Sequence, residues 1–553
     1  MKSIPKLFSE HGTFIQPDAL KYISSKDNPN EFASFLIDHL NEYPLVLTLD
    51  TIKSLEESTT LEKTQEPDYA PVGTKEIQNK ILSEMYDSKV PIKELFDEEY
   101  EEIDKEDQLE LDSEEIEQKS PYTIEIKTVK GWKPESKEYE SEIEILSDVT
   151  GKSTCEGTTQ DFVKLFRDRF NVLRGIIRSQ RREMIHVIPI NRIKKTMSDV
   201  QLIGIVKNVK TTVNGHRLIE IEDETGNATL MALKNNSETF HLANEVMLDE
   251  IIGVVGRISK NGDLIIVKNI VFPDIKVQHE KKKAELPLCV AFLSDIHVGS
   301  KMFMEKEFTN FLKWINGNLG NSRQKNVASK IKYLVLPGDL ADGIGIYPSQ
   351  EKELSITNIH QQYETIAKLI EVIPDHITII LQPGNHDAVR PAEPQPAFEK
   401  EIQDLFSGKE FIFIGNPCYF SLHGVEVLSY HGQSLLDFST NIQYLNYNEP
   451  TEVMKVMLKK RHLAPVYGGY TPLAPEHVDY MIIDKVPDIF VTGHVHASNI
   501  DNYRGVTLIN ASSWQAQTSY QKMLNFIPDS AKLPIVYLKT GNATSMDFNQ
   551  KIT

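Results

Sequence analysis

Five apolar runs in the second half of the chain each end in a short loop of histidine, aspartate, asparagine or glycine residues. The runs span residues 288–293, 331–336, 377–381, 425–429 and 489–492. Open α/β sheets bind ligands beyond the carboxyl ends of their strands, and glycines let the backbone turn sharply beside a ligand. The five loops contain seven side chains that can coordinate a metal ion: Asp295, His297, Asp339, Asn385, His431, His494 and His496.

This donor set is typical of a centre with two metal ions. Carboxylate and imidazole ligands suit Mn, Fe or Zn better than Ca or Mg alone. Seven ligands are too many for one ion and fit two ions that share a carboxylate. Two such ions clamp the oxygens of a phosphoryl group and lower the pKa of a bound water. Each motif alone is more typical of a surface loop, but clustered polar groups without a function are costly, so the whole series predicts a metal site.

The series of motifs resembles the calcineurin-like metallophosphoesterases. The motifs that carry the resemblance are Asp295-x-His297, Gly338-Asp339, Gly384-Asn385-His386-Asp387, His431 and Gly493-His494-x-His496. The resemblance implies a sandwich of mixed sheets flanked by helices, with two divalent ions, of which Mn²⁺ is favoured and Fe, Zn or Mg remain open.

The same resemblance implies a role for each motif residue. Asp295, His297 and His496 would hold the first metal. Asn385, His431 and His494 would hold the second, and Asp339 would bridge the two ions. Two catalytic residues are implied: His386 would face the phosphate, and Asp387 would orient His386.

The elements that must position these residues form a multidomain α+β chain of 553 residues. We expect a small helical unit over 1–58, whose apolar stripe includes Phe32, Phe35, Leu36 and Leu40. An acidic, disordered linker over 59–120 and a basic helical connector over 121–197 follow. Short strands separated by turns predict a barrel of the OB type over 198–275, and the metallophosphoesterase domain covers 285–553.

The charge distribution supports the predicted linker and connector. The net charge of −20 argues at first against nucleic acid, but fourteen carboxylates and a single lysine lie between Glu94 and Glu117. Such a block repels itself and predicts a solvated linker. Ten cations and two carboxylates then lie between Lys164 and Lys195, where apolar residues recur at helical spacing. This basic helix face is either simply solvated or a strip for nucleic acid or an acidic partner.

The predicted barrel lacks the aromatic side chains on which single strands stack. Phe240 is the only aromatic residue between Asp199 and Ile270. Stacking on aromatic rings is how such barrels bind single-stranded DNA. The sequence therefore favours a structural or protein-binding barrel over a strand-binding one.

The order of these domains resembles the small subunits of archaeal D-family DNA polymerases. Residues 471–475 and 510–515, with Gln521-Lys522, are also similar to that family. The architecture is similar to the B-subunits of eukaryotic replicative polymerases, whose phosphoesterase sites have lost metal ligands, whereas this sequence keeps every ligand. The resemblance implies a metal-dependent 3′–5′ exonuclease that proofreads single-stranded or primer–template DNA. It also implies assembly with a large catalytic subunit as a heterodimer or higher oligomer.

Two other functions remain open from the sequence. One is a stand-alone phosphatase or phosphodiesterase for small molecules, which the motifs fit equally well. The other is a non-catalytic assembly subunit with structural metals. Three widely spaced cysteines, no apolar run long enough to span a membrane and no signal peptide predict a cytoplasmic protein without a membrane partner.

Overall fold

The computed structural model describes residues 132–523 and 525–550, together with residues 14, 15, 22, 23, 26, 32, 33, 36, 46, 47 and 52. The chain divides into two compact units, Met1–Lys80 and Ile81–Thr553. Within the described ranges, no helix is long and apolar enough to cross a membrane.

The first unit combines helical residues with a pair of short strands. Strand β1 (Phe14–Ile15) pairs in parallel with β2 (Val46–Leu47). Phe32, Ala33 and Leu36 are helical, as the apolar stripe predicts, and Ala33 and Leu36 are buried. Of the other residues predicted on that stripe, Phe35 and Leu40 lie outside the described residues. So do the acidic linker predicted over 59–120 and the first residues, 121–131, of the predicted connector.

In the described part of the second unit, the first strand is β3 (Ile143–Ser147) and the first α-helix is α1 (Thr159–Gln180). Thr158 caps α1 and forms a reciprocal capping box with Asp161, which satisfies free backbone N–H groups at the helix start. The apolar face predicted from the sequence is buried through Leu165, Phe170, Leu173 and Ile177. The opposite face is less basic than the sequence suggested, because the Arg169 side chain is fully buried in an ion pair with Asp479.

Five strands close into a small barrel, as predicted. They are β4 (Asp199–Thr211), β5 (Arg217–Asp223), β6 (Gly226–Ala232), β7 (Ile251–Ile258) and β8 (Ile265–Val271), in the order β4-β5-β6-β8-β7. Helix α2 (Ser237–Asn244) connects β6 to β7. The barrel interior is filled by aliphatic side chains such as Leu202, Ile219 and Val254, so apolar packing holds the closed sheet together.

Two six-stranded mixed sheets follow the barrel. The first sheet contains β9 (Cys289–Phe292), β10 (Ile331–Pro337), β11 (Thr378–Gln382), β12 (Phe411–Phe413), β18 (Lys532–Tyr537) and β19 (Ala543–Asp547). The second contains β13 (Cys418–Leu422), β14 (Val425–Ser429), β15 (Ile489–Thr492), β16 (Ser498–Tyr503) and β17 (Val506–Ala511), with β3 at its edge. The strand order in the first is β12-β11-β10-β9-β18-β19, and in the second β16-β17-β15-β14-β13-β3. All five apolar runs of the motif series form strands.

Helices cover the outer face of each sheet. They are α3 (Glu305–Ile315), α4 (Ser322–Ala328), α5 (Ile359–Glu371), α6 (Lys400–Gln403), α7 (Leu435–Asn441) and α8 (Pro450–Lys460). The short helix α9 (Ser519–Met523) follows β17 and buries none of its residues. Val290 of β9 packs in the cluster shared by the two sheets, whereas its neighbour Ala291 packs on the other side with α3. Successive side chains of a strand point to opposite faces, so the two sheets are stacked between helical layers. The prediction of a multidomain chain that mixes helices with several sheets and a small barrel is confirmed.

Candidate metal centre

The motif loops converge because the strands that carry them are parallel neighbours. Strands β9, β10 and β11 run parallel in the first sheet, and β14 and β15 run parallel in the second. Their carboxyl ends therefore meet at one edge of the stacked sheets. The seven predicted metal ligands all lie at this edge, from loops separated by up to about two hundred residues.

Asp295, His297 and His496 form the first group of donors. The two imidazole Nε2 atoms lie 3.0 Å apart. The Oδ1 atom of Asp295 lies 3.4 Å from His496 Nε2 and 3.9 Å from His297 Nε2. The three side chains are buried, and one ligand atom of each lies within 4.8 Å of the other two. The three atoms are therefore close enough together to coordinate one metal ion.

His431, His494 and Asn385 form the second group, and Asp339 lies between the two. His431 Nε2 lies 2.9 Å from the Oδ1 atom of Asn385 and 3.3 Å from the Oδ2 atom of Asp339. The same Asp339 oxygen is 3.8 Å from His297 Nε2 in the first group. Asp339 is thus the carboxylate that faces both groups.

Five of these residues adopt backbone conformations that are rare for residues other than glycine. The φ angles of Asp295, His297, Asp339, His494 and His496 lie between 51° and 67°. Left-handed φ values cost energy in residues with a Cβ atom and cluster at functional sites. Here they turn each side chain back from its strand end towards the centre.

Glycines beside the ligands leave room for this convergence. A Cβ atom on Gly384 would lie 2.2 Å from the Oδ1 atom of Asp339, and one on Gly338 would lie 2.4 Å from His431 Nδ1. Real Cβ atoms do not approach so closely, so the Gly-Asp and Gly-Asn-His motifs need glycine for space as well as for the turn.

The two predicted catalytic residues lie next to the centre, but they do not contact each other as predicted. The backbone N–H of His386 donates to Asp339, and its ring Nδ1 lies 2.8 Å from the carbonyl oxygen of Asp342. Asp387 instead accepts bonds from the backbone N–H groups of Leu340 and Gly384, at 3.2 and 2.9 Å. The expectation that Asp387 orients His386 is therefore wrong, because the Asp387 carboxylate is used to tie the two motif loops together.

Asp342 is the residue that the sequence reasoning missed. Its Oδ1 atom lies 3.1 Å from His297 Nδ1 and accepts a hydrogen bond of 2.9 Å from Gln515, while its carbonyl oxygen holds His386. A carboxylate behind a metal-binding imidazole fixes the ring and increases its basicity. Its position in the sequence, three residues after Asp339 in the same loop, could have identified it as a candidate.

The buried charges of the centre attract positive charge. Burial alone would raise the pKa of Asp339, but the neighbouring His431 and His386 outweigh it and hold that pKa well below its usual value. Burial would also lower the pKa of His297 and His431, yet the carboxylates raise these values to about 9 and about 10. The acidic groups thus stabilise cationic partners inside the protein, and nitrogen and oxygen donors of this kind fit divalent transition metals.

Replacing Asp342 with asparagine is expected to weaken Mn²⁺ binding about 10- to 100-fold, because the imidazole of His297 loses its charged partner. Isothermal titration with Mn²⁺ measures this affinity. Asp488→Asn is the matched control, since Asp488 is equally buried and also contacts a histidine, His279, at the opposite end of β15. Equal Mn²⁺ affinity in the Asp342 variant and the wild type would contradict the positioning role.

Comparison with known proteins gives consistent matches. Residues 290–500 match the family of DNA polymerase alpha/epsilon B-subunits. The chain is 44% identical over 405 residues to the DNA polymerase II small subunit of Methanocaldococcus jannaschii, covering 72% of this chain and 68% of the relative. It is 44% identical to that of Archaeoglobus fulgidus, covering 73% and 80%, and 40% identical to that of Methanothermobacter thermautotrophicus, covering 72% and 82%.

Proposed function

This chain belongs to the family of DNA polymerase II small subunits, and on that basis we propose that it is the proofreading 3′–5′ exonuclease of a replicative DNA polymerase. The observation that carries this proposal is the convergence of seven metal-binding side chains in two groups, joined by Asp339 and adjacent to His386. A small subunit acts beside a larger one, so the partner is a large catalytic subunit in a heterodimer or higher oligomer.

The same proposal assigns each part of the fold to a type of domain. The two stacked sheets with helices on their outer faces support a calcineurin-like phosphoesterase domain over 285–553. The closed five-stranded barrel supports an OB domain over 198–275. The connector over 121–197 joins both, since α1 packs on the barrel and β3 pairs with β13.

Two divalent ions at this centre would polarise the scissile phosphodiester and supply a water activated at neutral pH. Asp295, His297 and His496 would hold one ion, and Asn385, His431 and His494 the other. Asp339 would contact both, and Mn²⁺ is favoured for this mixed donor set. Single-stranded or frayed primer–template DNA is the proposed substrate.

His386 supplies the proton chemistry of the proposal. The carbonyl oxygen of Asp342 accepts a hydrogen bond from Nδ1, so Nδ1 carries a proton and Nε2 is the atom that can gain or release one. His386 can therefore stabilise negative charge on the phosphate oxygens and protonate the departing 3′ oxygen.

An assay on end-labelled single strands in Mn²⁺ tests this function. His386→Asn is expected to lower the rate at least about 100-fold, because a positioned acid–base group contributes that much or more. His423→Asn is the matched control: it is the same substitution at a histidine whose positive φ asparagine tolerates, and His423 lies at the opposite end of β14. Removal of the metal with a chelator should abolish cleavage by the wild type.

Three outcomes would contradict the proposal. Full cleavage by the His386 variant would remove that residue from the reaction. Metal binding and assembly with the large subunit without any nuclease activity would identify a scaffold subunit with structural metals. Turnover of small phosphoesters as fast as DNA strands would identify a general phosphatase.

A further inference from the structure

Three segments form one continuous surface beside the metal centre. They are the loop after His297, the loop over 343–355 and the segment from Gln515 to α9. The N–H of Lys301 donates to the carbonyl oxygen of Glu353, and the N–H of Ala516 donates to that of Met302, both at 2.8 Å. Backbone hydrogen bonds therefore hold the three segments together, and each is connected to a motif residue.

Two tyrosines lie on this surface with nearly parallel rings. The ring centroids of Tyr347 and Tyr520 are 6.1 Å apart with an angle of 22° between the planes, an offset stack. The Tyr347 ring is also 6.5 Å from the ring of His386. The Tyr347 ring thus lies next to both the Tyr520 ring and His386, the residue proposed to act on the phosphate.

Polar contacts hold the Tyr347 ring and the segment that carries Tyr520 in relation to the centre. The Tyr347 hydroxyl donates to Glu353 at 3.2 Å, which orients its ring. Gln521, the residue after Tyr520, bonds at 3.0 Å to Nδ1 of the predicted metal ligand His496. The tyrosines are therefore not on a freely moving loop, and their positions follow that of the metal centre.

The chemistry of this surface suits a nucleobase. Exposed apolar side chains lie in the same three segments, namely Met302, Ile344, Ile346 and Met523. Apolar and aromatic groups exposed beside a polar centre are typical of a binding site. Every base has a π face, so aromatic platforms bind single strands with little dependence on sequence. An enzyme that removes mismatched ends must accept all four bases in this way.

We propose that Tyr347 and Tyr520 form the stacking platform for the terminal nucleobase of the strand whose phosphodiester lies against His386. This inference rests on the exonuclease function proposed above. It also assigns strand binding to the phosphoesterase domain, in agreement with a barrel whose single aromatic residue between Asp199 and Ile270, Phe240, lies in the helix α2.

The test compares two single strands that differ only at the 3′ end, one with a normal terminal nucleotide and one with an abasic terminal residue. The wild type is expected to have a KM about five- to one-hundredfold lower for the strand with the base, since one stacked base contributes in this range. Tyr347→Ala and Tyr520→Ala should lose most of this difference by raising KM for the normal strand. Tyr347→Phe should retain it, because the ring remains.

Tyr467→Ala is the matched control, since Tyr467 is also partly exposed and packs against an aromatic ring, that of Phe162, on α1. It should leave the KM ratio unchanged. If the wild type cleaves both strands and the two alanine variants keep the wild-type KM ratio, the stacking platform is refuted while the nuclease stands. If the wild type cleaves neither strand in Mn²⁺, the proposed function itself fails.

Discussion

Replacing Asp339 with asparagine is expected to abolish the proposed Mn²⁺-dependent nuclease activity. Asp339 is the carboxylate that faces both donor groups, with Oδ2 lying 3.3 Å from His431 Nε2 and 3.8 Å from His297 Nε2. Its loss would remove the shared ligand of both proposed ions, and with them several kcal/mol of transition-state stabilisation. That corresponds to a rate lower by at least about a thousandfold. The measurement is the single-turnover rate on end-labelled single strands.

Asparagine at this position keeps the shape of the side chain and an oxygen that can accept from the His386 N–H, so the fold should survive. Assembly with the large subunit and the circular dichroism spectrum should match the wild type. Asp529→Asn is a control carboxylate change at the protein surface, where Asp529 pairs with Lys532. Cleavage by the Asp339 variant at the wild-type rate, with wild-type Mn²⁺ content, would overturn the assignment of the metal centre.

Replacing Arg169 with methionine is expected to lower the free energy of unfolding by about 3–5 kcal/mol, because a buried carboxylate then loses its partner. Arg169 is fully buried, and its Nε atom donates to Asp479 at 2.7 Å. Its Nη1 atom donates to the carbonyl oxygens of Pro465 and Asp249, at 2.6 and 3.2 Å. One side chain of α1 thus joins the barrel to the second sheet's helical layer. Urea unfolding measures the change.

Two further variants test whether the loss of stability comes from the buried Arg169–Asp479 pair or simply from the removal of a positive charge. Arg167→Met, two residues earlier on α1, removes an exposed pair with Glu224 and should cost less than about 1 kcal/mol. Arg169→Met combined with Asp479→Leu should recover much of the lost stability, because apolar residues can replace a buried ion pair. Equal losses in the two single variants would show that burial of Arg169 has no energetic consequence.

The effect of the Arg169 substitution should also depend on pH. In the wild type, burial would raise the pKa of Asp479, but Arg169 and His462 together outweigh burial and the pKa is lowered. The ionised carboxylate therefore stabilises the folded protein above its unfolded-state pKa, and this contribution is lost as the pH falls. Without Arg169, the larger of the two opposing effects is removed, so the pKa of Asp479 rises and the carboxyl takes up a proton more readily. The stability difference between variant and wild type should therefore narrow towards acid pH.

The sequence alone predicted the elements of this fold in considerable detail. Hydrophobic periodicity identified α1, the five barrel strands and the five strands that end in motif loops, because these signals depend on neighbouring residues. It did not predict that β3, from the connector, extends the second sheet by pairing with β13. Such pairing joins segments more than two hundred residues apart, and no local pattern records it.

The contacts of individual polar side chains were also predictable from the sequence only in part. The strand order of the motifs was enough to expect Asp295, Asp339 and His431 at one edge, since parallel strands end together. Their roles as metal ligands stay predictions. Asp387, however, bonds to backbone N–H groups rather than to His386. His386 and Asp387 are adjacent in sequence, but the loop turns sharply between them, so their side chains have different hydrogen-bond partners.

The sequence by itself therefore determined α1, the barrel strands and the strands whose loops carry the candidate metal ligands, since composition and spacing act over a few residues. Only the tertiary structure decided that Asp342 contacts both His297 and His386, and that the rings of Tyr347 and Tyr520 stack. It also decided that Arg169 is buried rather than exposed on the basic face of α1. The Arg169 and Asp479 side chains are 310 residues apart along the chain. Contacts of this kind are set by how sheets and helices pack in three dimensions, and burial then determines which charges must be paired.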